Sequence, residues 1–430
     1  MRSVQRISKL FPVVLALCLL LVVVQSTQSA GNGKEQTVSV SYMQSGTYDK
    51  AAQEVGTQLK ARGITVNVEA FPYAVLRQKN TTDIVSGANH FDVMSGSYYL
   101  ADLYRHFASL KANIAKDNYG RGFLPGILDN CETFNDETIG APYGVDSYGI
   151  IYRTDLFRQA GITPPKTWER FKKDLDILKQ KLPGDVLPYA FSVGANEQLI
   201  GLFMARYSGS YLSKDGKFEL ETAKAVPAFK DCQALLKYGP SNITALSIDQ
   251  MNALFLQGKV AMIEGWPSFI AAQAADPNKS KIAGKYAVAV YPTDAGHPWL
   301  SLWNMFIPNK SKNQDAAWTW IKAFTNRKNA TDMFAKYGIG SIYTSSYKDP
   351  AVVAKYGAPY LNGVMGNIKA AVNPPLSGEA NDLFNKIMGD LLVNKLTPEA
   401  AVKQINEGWE SLPVPKSTLE YAQKHGLQVK

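Results

Sequence analysis

Between Thr37 and Tyr99 the chain alternates two periodicities, and this alternation narrows the fold more than any other feature of the sequence. Val38, Val40 and Tyr42 recur at every second residue, as in a strand. A helix is predicted from about Tyr48 to Ala61, and Gly63 separates it from a second alternating run, Ile64 to Ala70. Another helix, from about Val75 to Ser86, leads to the short strand Phe91-Asp92-Val93-Met94 and the loop Ser95-Gly96-Ser97-Tyr98-Tyr99. Strand, helix, strand, helix, strand implies a parallel sheet faced by helices, an α/β fold. In such open sheets ligands sit beyond the carboxyl ends of the strands. Topology alone therefore makes Gln44, Ser45, Ser97, Tyr98 and Tyr99 candidate ligand contacts. Asp92 begins a strand rather than ending one and reads as structural.

The rest of the chain continues in this style. Gly140 to Tyr152 reads as a turn followed by a strand, Thr154 as the cap of a short helix closed by Gly161. Thr167 caps a longer helix whose apolar residues Trp168, Phe171, Leu175, Leu178 and Leu182 are spaced three and four apart, so these aromatics belong to a core. Ala317, Trp320, Ile321 and Phe324 form a second stripe, and Thr397-Pro398 starts a helix carrying Val402, Ile405 and Trp409. No internal repeat or low-complexity segment interrupts the pattern. With 430 residues, 46% of them hydrophobic, the chain has material for two cores of ordinary size, hence two lobes.

The first thirty residues are of another kind. Arg2, Arg6 and Lys9 precede the apolar run Phe11 to Val24, and a polar stretch to Ala30 follows, the order of a secretory signal peptide. Fourteen apolar residues fall short of the roughly 20 that span a bilayer, and the small residues Thr27, Ser29 and Ala30 suit cleavage near Ala30. Retention as an uncleaved anchor is the alternative. Leu17 before Cys18 is too large for a lipoprotein signal. Loss of the three cations lowers the net charge from +9 to about +6, without any basic block that would suit nucleic acid or a membrane surface. The mature chain keeps Cys131 and Cys232, expected as free buried thiols although export would permit a disulfide.

Four stretches, in order, resemble the extracellular solute-binding proteins of ABC sugar importers, the family that includes maltose-binding protein. They are the opening with its Phe91-Asp92-Val93 strand; Gly140-Ala-Pro-Tyr through Asp146, Ile150-Ile-Tyr-Arg-Thr-Asp-Leu-Phe-Arg-Gln-Ala-Gly161 and Pro164-Pro-Lys-Thr-Trp-Glu-Arg-Phe171; Phe255-Leu-Gln-Gly-Lys-Val-Ala-Met262 with Gly265-Trp266-Pro267; and Ile307-Pro308 with Ser311-Lys-Asn-Gln-Asp-Ala-Ala-Trp318. The resemblance implies a two-lobed periplasmic-binding-protein fold with an interlobe ligand cleft and a hinge of several strands. One lobe would comprise residues 31–143 plus 290–343, the other 144–289 plus 344–430. It also implies a monomer in the periplasm that closes on a sugar or polyol and presents it to permease subunits in the inner membrane, without cofactor or catalysis.

Sugars and polyols expose hydroxyls around apolar C–H patches, so their sites combine aromatic faces with short polar side chains. The family places an acidic contact at Asp146, whose rival role is a hinge cap, and an aromatic platform at Trp266, which can equally plug a core edge. Trp303 and Asn304 fall where many relatives carry a Gly-Gly pair, replaced here by Ser301-Leu302. Asn196 and Tyr343 are candidates by position, and Trp299 is a weaker one.

Two rivals stand beside this reading. A secreted glycan hydrolase would need two carboxylates flanking a bond; the sequence has no Gly-x-Ser-x-Gly, His-Glu-x-x-His or phosphate-loop motif, and its four histidines are scattered. A binder of another solute such as ferric iron is suggested by Tyr98-Tyr99, but no His or carboxylate motif accompanies the pair, and no metal is expected.

Overall fold

The computed structural model describes residues 35–44, 47–128, 133–134, 137–194, 199–292 and 294–429. The signal segment, Ser45, Cys131 and Asn196 lie outside the described residues, as does the side chain of Tyr98. In chain order the strands are β1 (Gln36–Met43), β2 (Ile64–Phe71), β3 (Val93–Gly96), β4 (Thr133–Phe134), β5 (Glu137–Thr138), β6 (Gly140–Ser147), β7 (Gly149–Arg153), β8 (Ala190–Phe191), β9 (Met262–Gly265), β10 (Tyr286–Ala289) and β11 (Leu300–Phe306). Two sheets carry the fold: one in the order β2-β1-β3-β11-β6, the other β10-β7-β9-β8. Strands β4 and β5 form a separate hairpin.

The opening βαβαβ is present, with β1 parallel to both β2 and β3. Val38, Val40 and Tyr42 are fully buried, and so is Ser41 on the opposite face, because β1 is covered on both sides. The Ser41 hydroxyl escapes the cost of burial by donating to Asn80 Oδ1 at 2.6 Å. Gly63 takes φ 73°, the left-handed conformation that releases the chain from its helix into β2.

Three local readings are corrected. Strand β3 begins at Val93 and runs on through Ser95 and Gly96, and Tyr98–His106 is a 3-10 segment rather than loop. The extension comes from β11, which pairs with Met94, Ser95 and Gly96 from some 200 residues downstream. The single strand expected up to Tyr152 is two strands that break at Tyr148 and join different sheets. The expected cap by Thr154 is not formed: Arg153 precedes the helix Thr154–Ala160 and forks onto Asp155 at 2.7 and 2.6 Å. Asp92 is structural, accepting from Ser39 N at 3.0 Å and Ser311 Oγ at 2.6 Å.

The other caps follow the sequence. Thr167 accepts from Arg170 N at the start of the helix Trp168–Lys181, and Thr397 from Ala400 N ahead of Pro398–Trp409. Trp168, Phe171, Leu175, Leu178, Val402, Ile405 and Trp409 all enter one core of the second lobe. The first-lobe core joins Val38, Val40, Tyr42 and Val55 to Ala317, Trp320 and Phe324.

The chain passes between the two sheets at two places that lie side by side, from β6 to β7 and from β10 to β11. Tyr148, between β6 and β7, donates its N–H to Trp299 O at 2.9 Å, on the segment between β10 and β11. Val145 N, on β6 beside the first of them, bonds Gly340 O at 3.0 Å. A Cβ on Gly340 would lie 2.0 Å from Val145 O, so this close approach requires glycine. Among the described residues no helix is long and apolar enough to cross a membrane.

Candidate ligand-binding site

Two aromatic groups flank these crossings, and a single segment supplies a ring to each. Leading into β11, Trp299 packs in an edge contact on Trp266, with centroids 5.1 Å apart, and Trp266 packs likewise on Tyr148 at 5.2 Å. Four residues later, Trp303 packs edge-on against Tyr73 at 6.0 Å, and Tyr73 against Tyr99 at 6.3 Å. Trp266, Trp299 and Trp303 keep 5, 6 and 7% of their surface exposed. Trp266 and Trp299 stand just outside strand ends and Trp303 at the bulge within β11, rather than in helix interiors like the wholly buried Trp320 and Trp409.

Strand geometry explains the first-lobe group. Strands β1, β2 and β3 are parallel, so their carboxyl ends lie on one edge of the sheet. Gln44 follows β1, is exposed, and is held by its N–H on Phe71 O at 2.8 Å. Ser97 follows β3 and donates its hydroxyl to Leu302 O at 3.2 Å. Asn304 pairs with Gly96 and Pro142 across a bulge at Trp303/Asn304. Its amide donates to Leu302 O at 3.4 Å, while its buried Oδ1 has no hydrogen-bond partner among the described residues. A buried acceptor of this kind is costly until a donor reaches it.

Asp146 is placed differently. Its Oδ1 accepts from Ser147 N at 2.8 Å, and its Oδ2 from Ser268 N at 2.8 Å and from the Ser268 hydroxyl. Ser268 is in the first turn of Pro267–Ala274, the helix that Trp266 caps, so the carboxyl group ties that helix start to the end of β6. Burial pushes its pKa up to about 7, against the lowering effect of the Ser268 and Ser147 hydrogen bonds. This is the geometry of a cap on the helix Pro267–Ala274.

Tyr343 has other company: its hydroxyl donates to Thr325 O at 3.0 Å and its ring packs on Phe123 at 4.9 Å. Ser45, Asn196 and the Tyr98 side chain lie outside the described residues. The sequence reading missed Tyr73, Arg77 and Tyr148. The first two follow β2, and the carboxyl-end rule applied to β1 and β3 would have found them had it been extended to that strand. Tyr148 carried no local signal, since only the change of sheet gives it meaning.

Among the described residues no group of three or more His, Cys, Asp or Glu side chains could hold a metal ion. Cys232 is a free, buried thiol whose pKa burial pushes up to about 12. A cavity of about 790 Å³ is lined by Leu124, Ile127, Leu300, Met365 and Ile368, with Lys369 and His425 also on it. Its walls are aliphatic rather than paired aromatic faces and short hydrogen-bonding side chains, so it suits a polyhydroxylated ligand poorly.

A family model for bacterial extracellular solute-binding proteins matches residues 44–331. A binding protein of Brucella abortus strain 2308 is 27% identical over 358 residues, covering 79% of this chain and 84% of its own length. The mannitol-binding protein of Pseudomonas aeruginosa is 26% identical over 318 residues, covering 69% of this chain and 70% of its own. An ABC transporter solute-binding protein of Agrobacterium radiobacter K84, solved in complex with ribitol, superposes with a TM-score of 0.78 at 21% identity, covering 88% of this chain and 99% of that one. The likeness extends across both lobes, and the model match takes in more than half of the residues. The chain belongs to the bacterial extracellular solute-binding protein family.

Proposed function

We propose that this protein is the solute-binding component of an ABC importer, capturing a sugar or sugar alcohol in the periplasm and delivering it to a membrane permease. The observation that carries this reading is the pair of aromatic groups, Tyr148–Trp266–Trp299 and Tyr73–Tyr99–Trp303, flanking the chain crossings. Faces of this kind suit the C–H patches of a carbohydrate or alditol, while Gln44, Ser97 and the unpaired Asn304 Oδ1 suit its hydroxyls. The mannitol- and ribitol-binding relatives favour a linear alditol within this class.

In this reading the lobes divide near residues 143/144, 289/290 and 343/344 and close by hinge motion, because ligand contacts are complete only in the closed form. Ligand binding involves Gln44, Ser45, Ser97, Tyr98, Tyr99, Asn196, Trp266, Trp303 and Asn304, with Tyr343 and Asp146 supporting from the hinge. The protein acts as a monomer without catalysis, and the signal segment directs export.

A thermal-shift screen of residues 31–430 against sugars, alditols, amino acids and metal ions tests the assignment, since a ligand that binds only the folded state raises the midpoint. A selective rise with a sugar or alditol is expected. A rise with only a metal ion or an amino acid, or turnover of an oligosaccharide, would overturn it.

A further inference from the structure

Helix Tyr73–Ser86 carries Arg77 one turn beyond Tyr73, on the same face. The Arg77 guanidinium lies over the Tyr99 ring, 5.6 Å from its centroid. It also pairs with Asp382 Oδ2 at 2.5 Å. Asp382 belongs to the helix Gly378–Leu392, which packs in the core of the second lobe through Phe384, Met388 and Leu391. The ion pair therefore spans the two lobes.

Each end of the pair leads to one of the aromatic groups. On one side Arg77 covers Tyr99, which packs on Tyr73 and through it on Trp303. On the other, Asn385, one turn beyond Asp382, accepts from Ile200 N at 3.0 Å. The next residue, Gly201, lies against Tyr148 and Trp299: a Cβ built there would be 3.0 Å from the first ring and 3.2 Å from the second.

From this arrangement we infer that Arg77 and Asp382 are a positioning pair that latches the lobes together and sets the spacing between the two aromatic groups. The inference rests on the solute-binding reading above. The side chain of Arg77 is 23% exposed and that of Asp382 49%, so salt screens the pair and it adds little to the stability of either lobe alone. Its effect falls on the balance between closed and open forms, because only closure brings the two charges together. A latch of this strength shortens ligand release when it is broken and leaves each lobe folded.

The test uses the full mature chain labelled at Val85→Cys and Val393→Cys, exposed positions on the two lobes, for interlobe distance measurement. Asp382→Asn removes one charge without touching the aromatic groups, and the exchange Arg77→Asp/Asp382→Arg restores a pair of opposite sign. With the sugar or alditol identified by the screen, Asp382→Asn is expected to raise the dissociation rate about 2- to 5-fold and broaden the closed distance distribution. The exchanged pair should recover part of both effects. In the parent protein, salt from 0.05 to 0.5 M should mimic Asp382→Asn, and in the variant it should add nothing. Unchanged release rate and distances in Asp382→Asn would overturn the latch. If no sugar or alditol binds the parent protein, the functional reading fails separately; the ligand-free distances and their salt dependence then decide the latch, which stands if Asp382→Asn widens them and falls if it does not.

Discussion

The Arg206 guanidinium lies bidentate on the Glu264 carboxylate, at 2.9 and 2.8 Å, with both side chains almost wholly buried. Tyr291 donates to the same carboxylate at 2.5 Å, and so does Tyr189. Arg206 donates further to Leu202 O at 2.7 Å and covers Trp168 at 4.1 Å. Glu264 is in β9, two residues before Trp266, so a satisfied charge cluster anchors the strand that leads to one face of the proposed site.

Breaking that pair strands a buried charge. Glu264→Gln or Arg206→Met is expected to lower unfolding free energy by about 3–5 kcal/mol, whereas replacing both with apolar residues of similar volume costs less. Urea unfolding midpoints of the three variants check this, with m unchanged.

Asp146 gives a pH dependence with a definite sign. Its carboxyl titrates near 7 when folded and near 3.9 when unfolded. Between those values the folded protein holds a proton that the unfolded chain has released. This group's contribution is therefore full below about pH 4 and is lost as pH rises towards 7, by at most about 1.4 kcal/mol per pH unit. Asp146→Asn is expected to flatten that fall, as read by denaturant unfolding at pH 5 and pH 7.5.

The aromatic groups should answer to ligand as well as to stability, because Trp266 and Trp303 are each more than nine-tenths buried in a core. Trp266→Ala and Trp303→Ala are each expected to weaken binding by roughly 1–3 kcal/mol through lost ring contact. Tyr343→Phe removes a hydroxyl bonded to Thr325 O and is expected to cost about 1 kcal/mol of stability, with affinity reduced less than by either tryptophan variant. Calorimetric titration beside thermal unfolding separates the two effects.

Trp409 is the contrasting case. It is fully buried, and its Nε1 donates to Ala380 O at 2.9 Å. Trp409→Ala is expected to destabilise by about 3–5 kcal/mol while leaving the affinity of the folded fraction intact.

Much of this was legible in the residues themselves, for identifiable reasons. The alternation at Val38, Val40 and Tyr42 and the three-and-four spacing from Trp168 to Leu178 are local, and local periodicity decides which elements form. What escaped is set by distant partners. β3 extends to Gly96 because β11 pairs with it, and the chain breaks at Tyr148 because β6 and β7 belong to different sheets. Asp146 could be placed near the hinge from sequence, but its cap on Ser268 depends on a helix more than a hundred residues later. Likewise, nothing near Arg77 announces Asp382.

Calorimetric titration of residues 31–430 with ribitol, mannitol, maltose and glucose tests the central claim most directly. Saturable one-to-one binding of at least one of them, with the ligand recovered chemically unchanged, is the expected result. No heat from any sugar or alditol, together with tight binding of a metal ion or an amino acid, would contradict it.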